Sequence, residues 1–361
     1  APWIQQLIRL INASGNTIIS IDVPSGLFLD QPTILAVQAD EVLTFEVPKL
    51  AFFLPDNQNY VKWFDLLKID WDQKALDEVD SLITFNDLKY IKTLYRPVSR
   101  MAHKGTQGHA LIIGGSYGKI GAVTLASKAS LRAGCGLITA IIPKCGYEIL
   151  QTAVREVMVI TDQEADKITS IRFELTPQVI GIGPGLGQDP ETAQALELFL
   201  KQNKAPLVID ADALNLLASH PEWLQYLPKD TILTPHPKEL ERLIGPWNND
   251  FEKLEKATLY SKTHELILVL KGAYTFIVHG DQIYINSTGN QALATGGSGD
   301  VLLGIITGLR AQGYDALAAA QLGVFLHGRT AELALEVMTH ESFIASDILY
   351  YLGKAFQELS Q

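Results

Sequence analysis

The chain has 361 residues, of which 47% are hydrophobic and 19% are charged, a composition typical of a globular protein rather than a disordered one. Its formal net charge is −11 and it contains no cluster of lysine and arginine, so we do not expect it to bind nucleic acid. The two cysteines lack the spacing of metal ligands, and no apolar run reaches the length of about 18 residues that a membrane helix needs. These features predict no membrane partner and a reducing, cytoplasmic location.

The first part of the chain predicts a small α/β unit. Its elements are a helix at 3–12 and strands at 17–21, 41–47 and 61–69. The segment 72–97 is more polar and carries few strand signals, so it is the expected linker to the main domain. We therefore place one domain at 1–80 and a second at 81–361.

From residue 108 onward, short apolar runs alternate with helical patterns. Strands are predicted at 109–113, 137–142, 178–182, 206–209, 231–233 and 266–270. Helices are predicted at 120–133, 190–202, 212–218, 237–244, 252–263, 300–312, 316–337 and 345–359. Continuous apolar strands indicate a sheet that is covered on both faces, and their alternation with helices indicates a parallel sheet. A hairpin of residues 274–278 and 282–286 is expected at the sheet edge.

Polar or glycine-rich loops follow five of these strands. They are residues 114–121, 181–187, 210–212, 234–237 and 271–272. Ligands of open α/β sheets bind at the carboxyl ends of the strands, so the five loops together predict a long polar ligand, such as a nucleotide with a second substrate. Asp210 and Asp212 could assist a magnesium ion through water, although we favour a helix cap for Asp212.

The most specific signal is the segment Thr295–Asp300, with sequence TGGSGD, which opens an apolar helix. A helix N-terminus with inward-pointing N–H groups favours a phosphate or an oxyanion. Asp300 could simply cap this helix, but beside an anion hole a carboxylate can also take a proton from a substrate hydroxyl, and we favour that role. His236 lies between two prolines, and the Lys271 ammonium could reach a phosphate from its strand end.

Taken in order, these motifs resemble the NAD(P)H-hydrate dehydratases. The resemblance rests on segments 104–109, 121–122, 182–187, 210–215, 234–237, 271–275, 290–302 and 319–328, and it covers about residues 85–361. It implies a ribokinase-like three-layer αβα fold and an enzyme that uses ADP or ATP with Mg²⁺ to remove water from the S epimer of hydrated NADH or NADPH. One departure is Gln291–Leu293, where the family often has Pro-Gly-Met.

The resemblance also implies roles for individual residues. The positions matching those that hold the adenine nucleotide are Lys271, Gly272, Ala273, Tyr274, Thr275 and Gly299. The positions matching those that contact the hydrated cofactor are Ala122, Gly185, Gly187, His236 and Asp300. Asp300 would be the base that activates the substrate hydroxyl for phosphorylation, after which phosphate leaves and the ring double bond is restored.

The first 70 residues resemble the C-terminal portion of an NAD(P)H-hydrate epimerase domain, which implies a partial Rossmann-like α/β domain. The matching motifs are Ser20–Leu27 and Ala39–Phe45. Asp22 would then contact the hydrated cofactor and Ser25 a potassium ion. The epimerase's early Asn/Gly/Asp-rich loop and N-terminal strands are absent, so we do not expect epimerase activity from this part alone. Either the missing piece is a separate partner, or the half-domain is structural.

Two alternatives to the dehydratase remain open at the level of sequence. A vitamin-precursor kinase of the same superfamily would use the same glycine loop and Asp300, and a nucleotide-binding module without turnover would need Asp300 only as a cap. The family resemblance further predicts a homo-oligomer. The sequence does not decide between ADP and ATP, or between the hydrates of NADH and NADPH.

Overall fold

The computed structural model describes residues 2–72, 74–75 and 78–361. The chain divides into two compact units, one made of residues up to 85 with 247–257 and the other of 86–246 with 258–361. These units are structural, so the functional domains 1–80 and 81–361 stay a prediction.

The first unit contains a short parallel sheet. Its elements are α1 (Pro2–Asn12), β1 (Ile19–Ile21), β2 (Glu41–Phe45) and β3 (Phe64–Leu67), with strand order β1-β2-β3. Leu27, Val42 and Phe52 belong to its apolar core. The outer strand β1 leaves Ile19 and Ile21 exposed to solvent, at 55% and 63%. The partial α/β character expected of this region is confirmed.

A ten-stranded sheet forms the main architecture. Its strands are β4 (Ile83–Asn86), β5 (His109–Ile113), β6 (Leu137–Ile142), β7 (Met158–Thr161), β8 (Val179–Ile182), β9 (Leu207–Ile209), β10 (Ile232–Leu233), β11 (Ile267–Leu270), β12 (Phe276–His279) and β13 (Gln282–Asn286). The order is β4-β13-β12-β11-β10-β9-β8-β5-β6-β7. From β11 to β7 in this spatial order, each strand runs parallel to the next. The strand β12 is antiparallel to both β11 and β13.

Further helices follow α1 in the described part of the chain. They are α2 (Leu88–Leu94), α3 (Ile120–Arg132), α4 (Tyr147–Ala153), α5 (Pro190–Gln202), α6 (Ala211–Ser219), α7 (Pro237–Ile244), α8 (Asp250–His264), α9 (Ser298–Ala311), α10 (Ala316–Ala334) and α11 (Ala345–Ser360). Every residue of β8, β9 and β11 is buried, so helices cover both faces of the sheet. The predicted three-layer α/β class is confirmed. Among the described residues, no helix combines the length and apolar character needed to cross a bilayer.

Two strands, β4 and β7, were not predicted from the sequence, and the predicted position of the hairpin was wrong. The strand β4 lies in the segment expected to be a linker. The strand β7 contains an apolar run at 157–160 that was not assigned to a strand, and it is only partly buried. The predicted hairpin is β12 and β13, but it is not at the sheet edge, because β4 adds outside β13. A pairing of strands that are distant in sequence leaves no local signal.

The helix α9 packs so closely on α3 that Gly304 cannot carry a side chain. A Cβ on Gly304 would lie 2.2 Å from the carbonyl oxygen of Ala126 and 2.6 Å from the Cβ of Ala129. The Ser130 hydroxyl, also on α3, donates to the Gly304 carbonyl at 2.8 Å. Since the TGGSGD segment leads into α9, this packing fixes the position of the candidate site.

We predict that Gly304→Ala destabilises the protein by about 2 kcal/mol, because overpacked cores lose this much when the backbone must shift. The matched control is Gly353→Ala in α11, where an added Cβ meets no atom within 4 Å. That variant should be neutral or stabilised by up to about 1 kcal/mol, because alanine favours a helix. Urea unfolding followed by circular dichroism measures both. Equal midpoints for the two variants would contradict the close packing.

Candidate active site

The N-terminus of α9 is held in place by a buried histidine. The Nε2 atom of His327 lies 3.0 Å from the carbonyl oxygen of Ser298 and 3.1 Å from its hydroxyl. Burial lowers the pKa of His327 to about 4, so the ring is neutral at physiological pH. Because the Ser298 carbonyl can only accept, Nε2 carries the ring proton. This contact was not predicted, because it joins residues 29 positions apart in the sequence.

Asp300 lies in the first turn of α9 and does not cap it. The helix begins after Gly297 without a side-chain cap. The pKa of Asp300 is raised to about 7, mainly by burial and also by the charges of Asp210 and Asp212, while Lys271 opposes the rise. A carboxylate that titrates near neutral pH is suited to accept a proton from a substrate.

Lys271 and Asp210 form an ion pair beside this helix terminus. Lys271 directly follows β11 and Asp210 follows β9, and Lys271 Nζ lies 2.8 Å from Asp210 Oδ1. A Cβ on Gly299 would lie 3.3 Å from Lys271 Nζ and 3.3 Å from Asp210 Oδ2. The start of α9 therefore lies against the pair. Asp210 holds the lysine in place, and its expected part in binding magnesium stays a prediction.

His236 begins α7 as its N-cap. Its Nδ1 accepts the N–H groups of Lys238 at 3.1 Å and Glu239 at 3.4 Å, and Glu239 Oε2 accepts the His236 N–H at 2.9 Å. Burial, and then Lys271, lower the pKa of His236, while burial raises the pKa of Glu239. The carboxylate of Glu239 also lies 3.8 Å from Lys271 Nζ. Glu239 was not predicted as a site residue. A glutamate three residues after a helix N-cap is nevertheless a known pattern of helix starts.

Asp212 is not the helix cap that we favoured. It is the second residue of α6, and its Oδ2 accepts the N–H of Gly187 at 2.9 Å and lies 3.4 Å from Lys119 Nζ. The Nε2 of Gln188 donates to Oδ1 at 3.1 Å. The prediction failed because these partners come from loops distant in sequence, which satisfy the carboxylate better than the backbone of its own helix.

Several of the residues predicted to bind the substrate line an open cavity of about 380 Å³. Its wall is formed by Gly118, Lys119, Gly121, Ala122, Gly185, Ala211, Asp212, Asn215, Glu239 and Asp300. Gly185 has a φ of 62°, and a Cβ there would lie 2.6 Å from the Lys119 carbonyl oxygen, so the wall requires glycine at this position. Gly187 and His236 adjoin the cavity through their bonds to Asp212 and Glu239.

The residues predicted to hold the nucleotide lie together. Gly272 to Thr275 form the turn between β11 and β12, next to Lys271, and the Thr275 hydroxyl donates to the Gly272 carbonyl at 3.2 Å. Gly299 lies against the Lys271 ammonium. The roles of these residues stay predictions, but their proximity fits one ligand.

Asp22 and Ser25 belong to the first unit. Asp22 Oδ1 accepts from Lys49 Nζ at 2.7 Å, from the Thr44 hydroxyl at 3.1 Å and from the Phe45 N–H at 3.2 Å. Lys49 holds the pKa of Asp22 below its usual range. Ser25 is exposed and its carbonyl accepts the N–H of Val37. Their predicted roles toward cofactor and potassium remain predictions.

Within the described part of the chain, no group of three or more His, Cys, Asp or Glu side chains could hold a metal ion. Mg²⁺ usually keeps several waters and binds one or two carboxylates together with substrate phosphates. The site therefore fits a magnesium ion carried by a nucleotide rather than one held by protein alone.

Two family models match the chain. The model of the NAD(P)H-hydrate dehydratases matches residues 110–352, which include every residue of the cavity. The model of the YjeF-related protein N-terminus matches residues 2–51, in the first unit.

Relatives and solved structures agree with these matches. The bifunctional NAD(P)H-hydrate repair enzyme Nnr of Moorella thermoacetica is 34% identical over 98% of this chain and 69% of that protein. The Nnr enzyme of Coxiella burnetii is 35% identical over 98% of this chain and 72% of that protein. The ADP/ATP-dependent NAD(P)H-hydrate dehydratase of Bacillus subtilis, co-crystallized with ATP and Mg²⁺, is 30% identical, with a TM-score of 0.66 over 76% of this chain and 98% of that one. The chain therefore belongs to the NAD(P)H-hydrate dehydratase family and extends at its N-terminus into the epimerase-related part of the bifunctional repair enzymes.

Proposed function

We propose that the chain removes water from the S epimer of hydrated NADH or NADPH, driven by ADP or ATP. The observation that carries this proposal is Asp300, a carboxylate with a pKa raised to about 7 in the cavity wall at the N-terminus of α9. The bifunctional repair relatives and the Bacillus subtilis dehydratase support the same reaction.

The chemistry follows from the two parts of this site. Hydroxide is a poor leaving group and phosphate a good one. Asp300 accepts the proton of the ring hydroxyl, whose oxygen attacks the terminal phosphoryl group of the nucleotide. The bridging P–O bond breaks, and the nucleotide leaves with one phosphate fewer. The N–H groups at the start of α9 stabilise the charge on the transferred group. The C–O bond then breaks, phosphate leaves, and loss of a proton from the neighbouring ring carbon restores the double bond.

We assign the nucleotide to Lys271, Gly272–Thr275 and Gly299. Lys271 is held by Asp210 and remains 21% exposed, so its ammonium can also contact a phosphate. A magnesium ion carried by the nucleotide would neutralise the charge of the phosphates that bind it, with water completing its shell. Ala122, Gly185, Gly187 and His236 would contact the hydrated cofactor around the cavity.

The kinase alternative has less support. A vitamin-precursor kinase would keep the glycine loop and Asp300 but would release a phosphorylated product. The family model that spans the cavity is that of the dehydratases, and the relatives at 34% and 35% identity are repair enzymes. For the first unit we propose a cofactor-contacting role for Asp22 within a complete epimerase domain, with a potassium ion at Ser25. A homo-oligomer and a cytoplasmic location stay predictions.

We predict that the purified protein regenerates NADH from its hydrate when Mg²⁺ and either ADP or ATP are supplied. The near-ultraviolet absorbance of the dihydronicotinamide ring measures the product, and omission of each nucleotide identifies the phosphoryl donor. Asp300→Asn should lower the rate by about a hundredfold or more, because general base catalysis contributes this much.

Asp281→Asn is the matched control for this assay. Asp281 is an exposed carboxylate that pairs with Lys262 at 2.7 Å, and it is not among the residues that line the cavity. This variant should keep the wild-type rate. A wild-type protein that binds nucleotide but regenerates no NADH would contradict the proposal, and so would an Asp300→Asn variant as active as Asp281→Asn.

We also predict that Asp300→Asn raises the free energy of unfolding more at high pH than at low pH. Between its ordinary value of 3.8 and about 7, folded Asp300 binds a proton that the unfolded chain has lost, so wild-type stability falls as pH rises. The gain from Asp300→Asn should be about 2 kcal/mol larger at about pH 8 than at about pH 5.5. Urea unfolding at the two pH values measures it. The same gain at both would show that Asp300 has an ordinary pKa.

A further inference from the structure

Asp212 is a cavity residue to which the proposed reaction gives no chemical step. Its side chain is 16% exposed. It accepts hydrogen bonds from the Gly187 backbone and the Gln188 side chain, and it contacts the ammonium of Lys119. These partners belong to two separate loops, one after β5 and the other after β8. One carboxylate on α6 therefore joins two loops to the same helix.

The loop after β8 is fixed at both ends. Near its start, the Ser116 hydroxyl donates to the Gly185 carbonyl at 2.9 Å, and the Gly115 N–H donates to the Pro184 carbonyl at 2.8 Å. At its far end, Gly187 has a φ of 84°, and its N–H donates to Asp212. Two residues further on, Asp189 pairs with Lys167 at 2.9 Å, so Asp212 is the anchor of Gly187 and Gln188 between that ion pair and Gly185.

The charge of Asp212 also acts on the reacting carboxylate. Asp212 and Asp300 both line the cavity, and the negative charge of Asp212 is one of the causes that raise the pKa of Asp300. Asp210 acts in the same direction and Lys271 in the opposite one. The remaining charged groups of the wall are Lys119, which pairs with Asp212, and Glu239, which lies beside Lys271.

We propose that Asp212 is a positioning residue of the dehydration site, which fixes the Gly187 loop and Lys119 in the wall of the cavity that Asp300 shares. This inference rests on the proposed function, since the loop it fixes is the one assigned to the hydrated cofactor. The carboxylate has two separable effects, a hydrogen bond that holds the loop and a charge that acts on Asp300.

Two variants separate these effects. Asp212→Asn keeps an oxygen acceptor for the Gly187 N–H but removes the charge, whereas Asp212→Ala removes both. With less negative charge near it, Asp300 ionises more easily, so the acid limb of kcat/KM should move to lower pH by about half a unit in both variants. The KM for the hydrated cofactor should rise about tenfold in Asp212→Ala and less in Asp212→Asn, because only alanine loses the hydrogen bond.

A second readout does not depend on turnover. The carboxyl titration of Asp300, followed by NMR in protein labelled at aspartate and assigned with Asp300→Asn, should have a lower midpoint in Asp212→Asn than in wild type. Asp281→Asn is the control and should change neither the titration nor KM. Because the asparagine variant has nearly the same size, it remains informative if Asp212→Ala fails to fold.

The outcomes separate the two proposals. If wild type regenerates NADH but KM stays within about twofold and the acid limb does not move in either variant, the role of Asp212 is overturned and the dehydratase stands. If wild type does not regenerate NADH, the proposed function fails and the positioning role fails with it. The NMR midpoint then still decides whether the charge of Asp212 acts on Asp300.

Discussion

The site depends on a buried ion pair between Lys271 and Asp210. Asp210 is almost fully buried, so its charge is tolerated only because the lysine ammonium lies 2.8 Å away. The pair joins the ends of β9 and β11 and lies against Gly299, at the start of α9. One contact thus places a positive charge, a helix N-terminus and the Asp300 carboxylate in the same small region. Phosphoryl chemistry needs these elements together, because it relies on positioning and electrostatics.

The charged groups around Asp300 act on its pKa in opposite directions. Asp210 and Asp212 favour the protonated form of Asp300, while Lys271 favours the ionised form. Burial dominates and leaves the group titrating near neutral pH. The phosphate contacts would come from one lysine and from backbone N–H groups, so the net charge of −11 is no obstacle.

Much of this arrangement could be predicted from the sequence, because its signals are local. The buried strands have continuous apolar runs, and the TGGSGD segment marks the start of α9 by itself. Three features could not be predicted in this way: the partners of Asp212, the position of the hairpin in the sheet and the His327–Ser298 contact. Each depends on partners far apart in sequence, as in the bond from Gly187 to Asp212 across 25 positions. Local patterns could not reveal them, because the geometry exists only after the sheet has formed.

The central claim is that the substrate hydroxyl itself becomes phosphorylated before it leaves. The most direct test uses hydrated NADH whose ring hydroxyl carries a heavy oxygen isotope, with the nucleotide and Mg²⁺. If Asp300 activates that hydroxyl as proposed, the label will be found in the released inorganic phosphate, with one phosphate formed for each NADH. Label recovered in water, while NADH is still regenerated, would contradict the account and show that the hydroxyl leaves without phosphorylation.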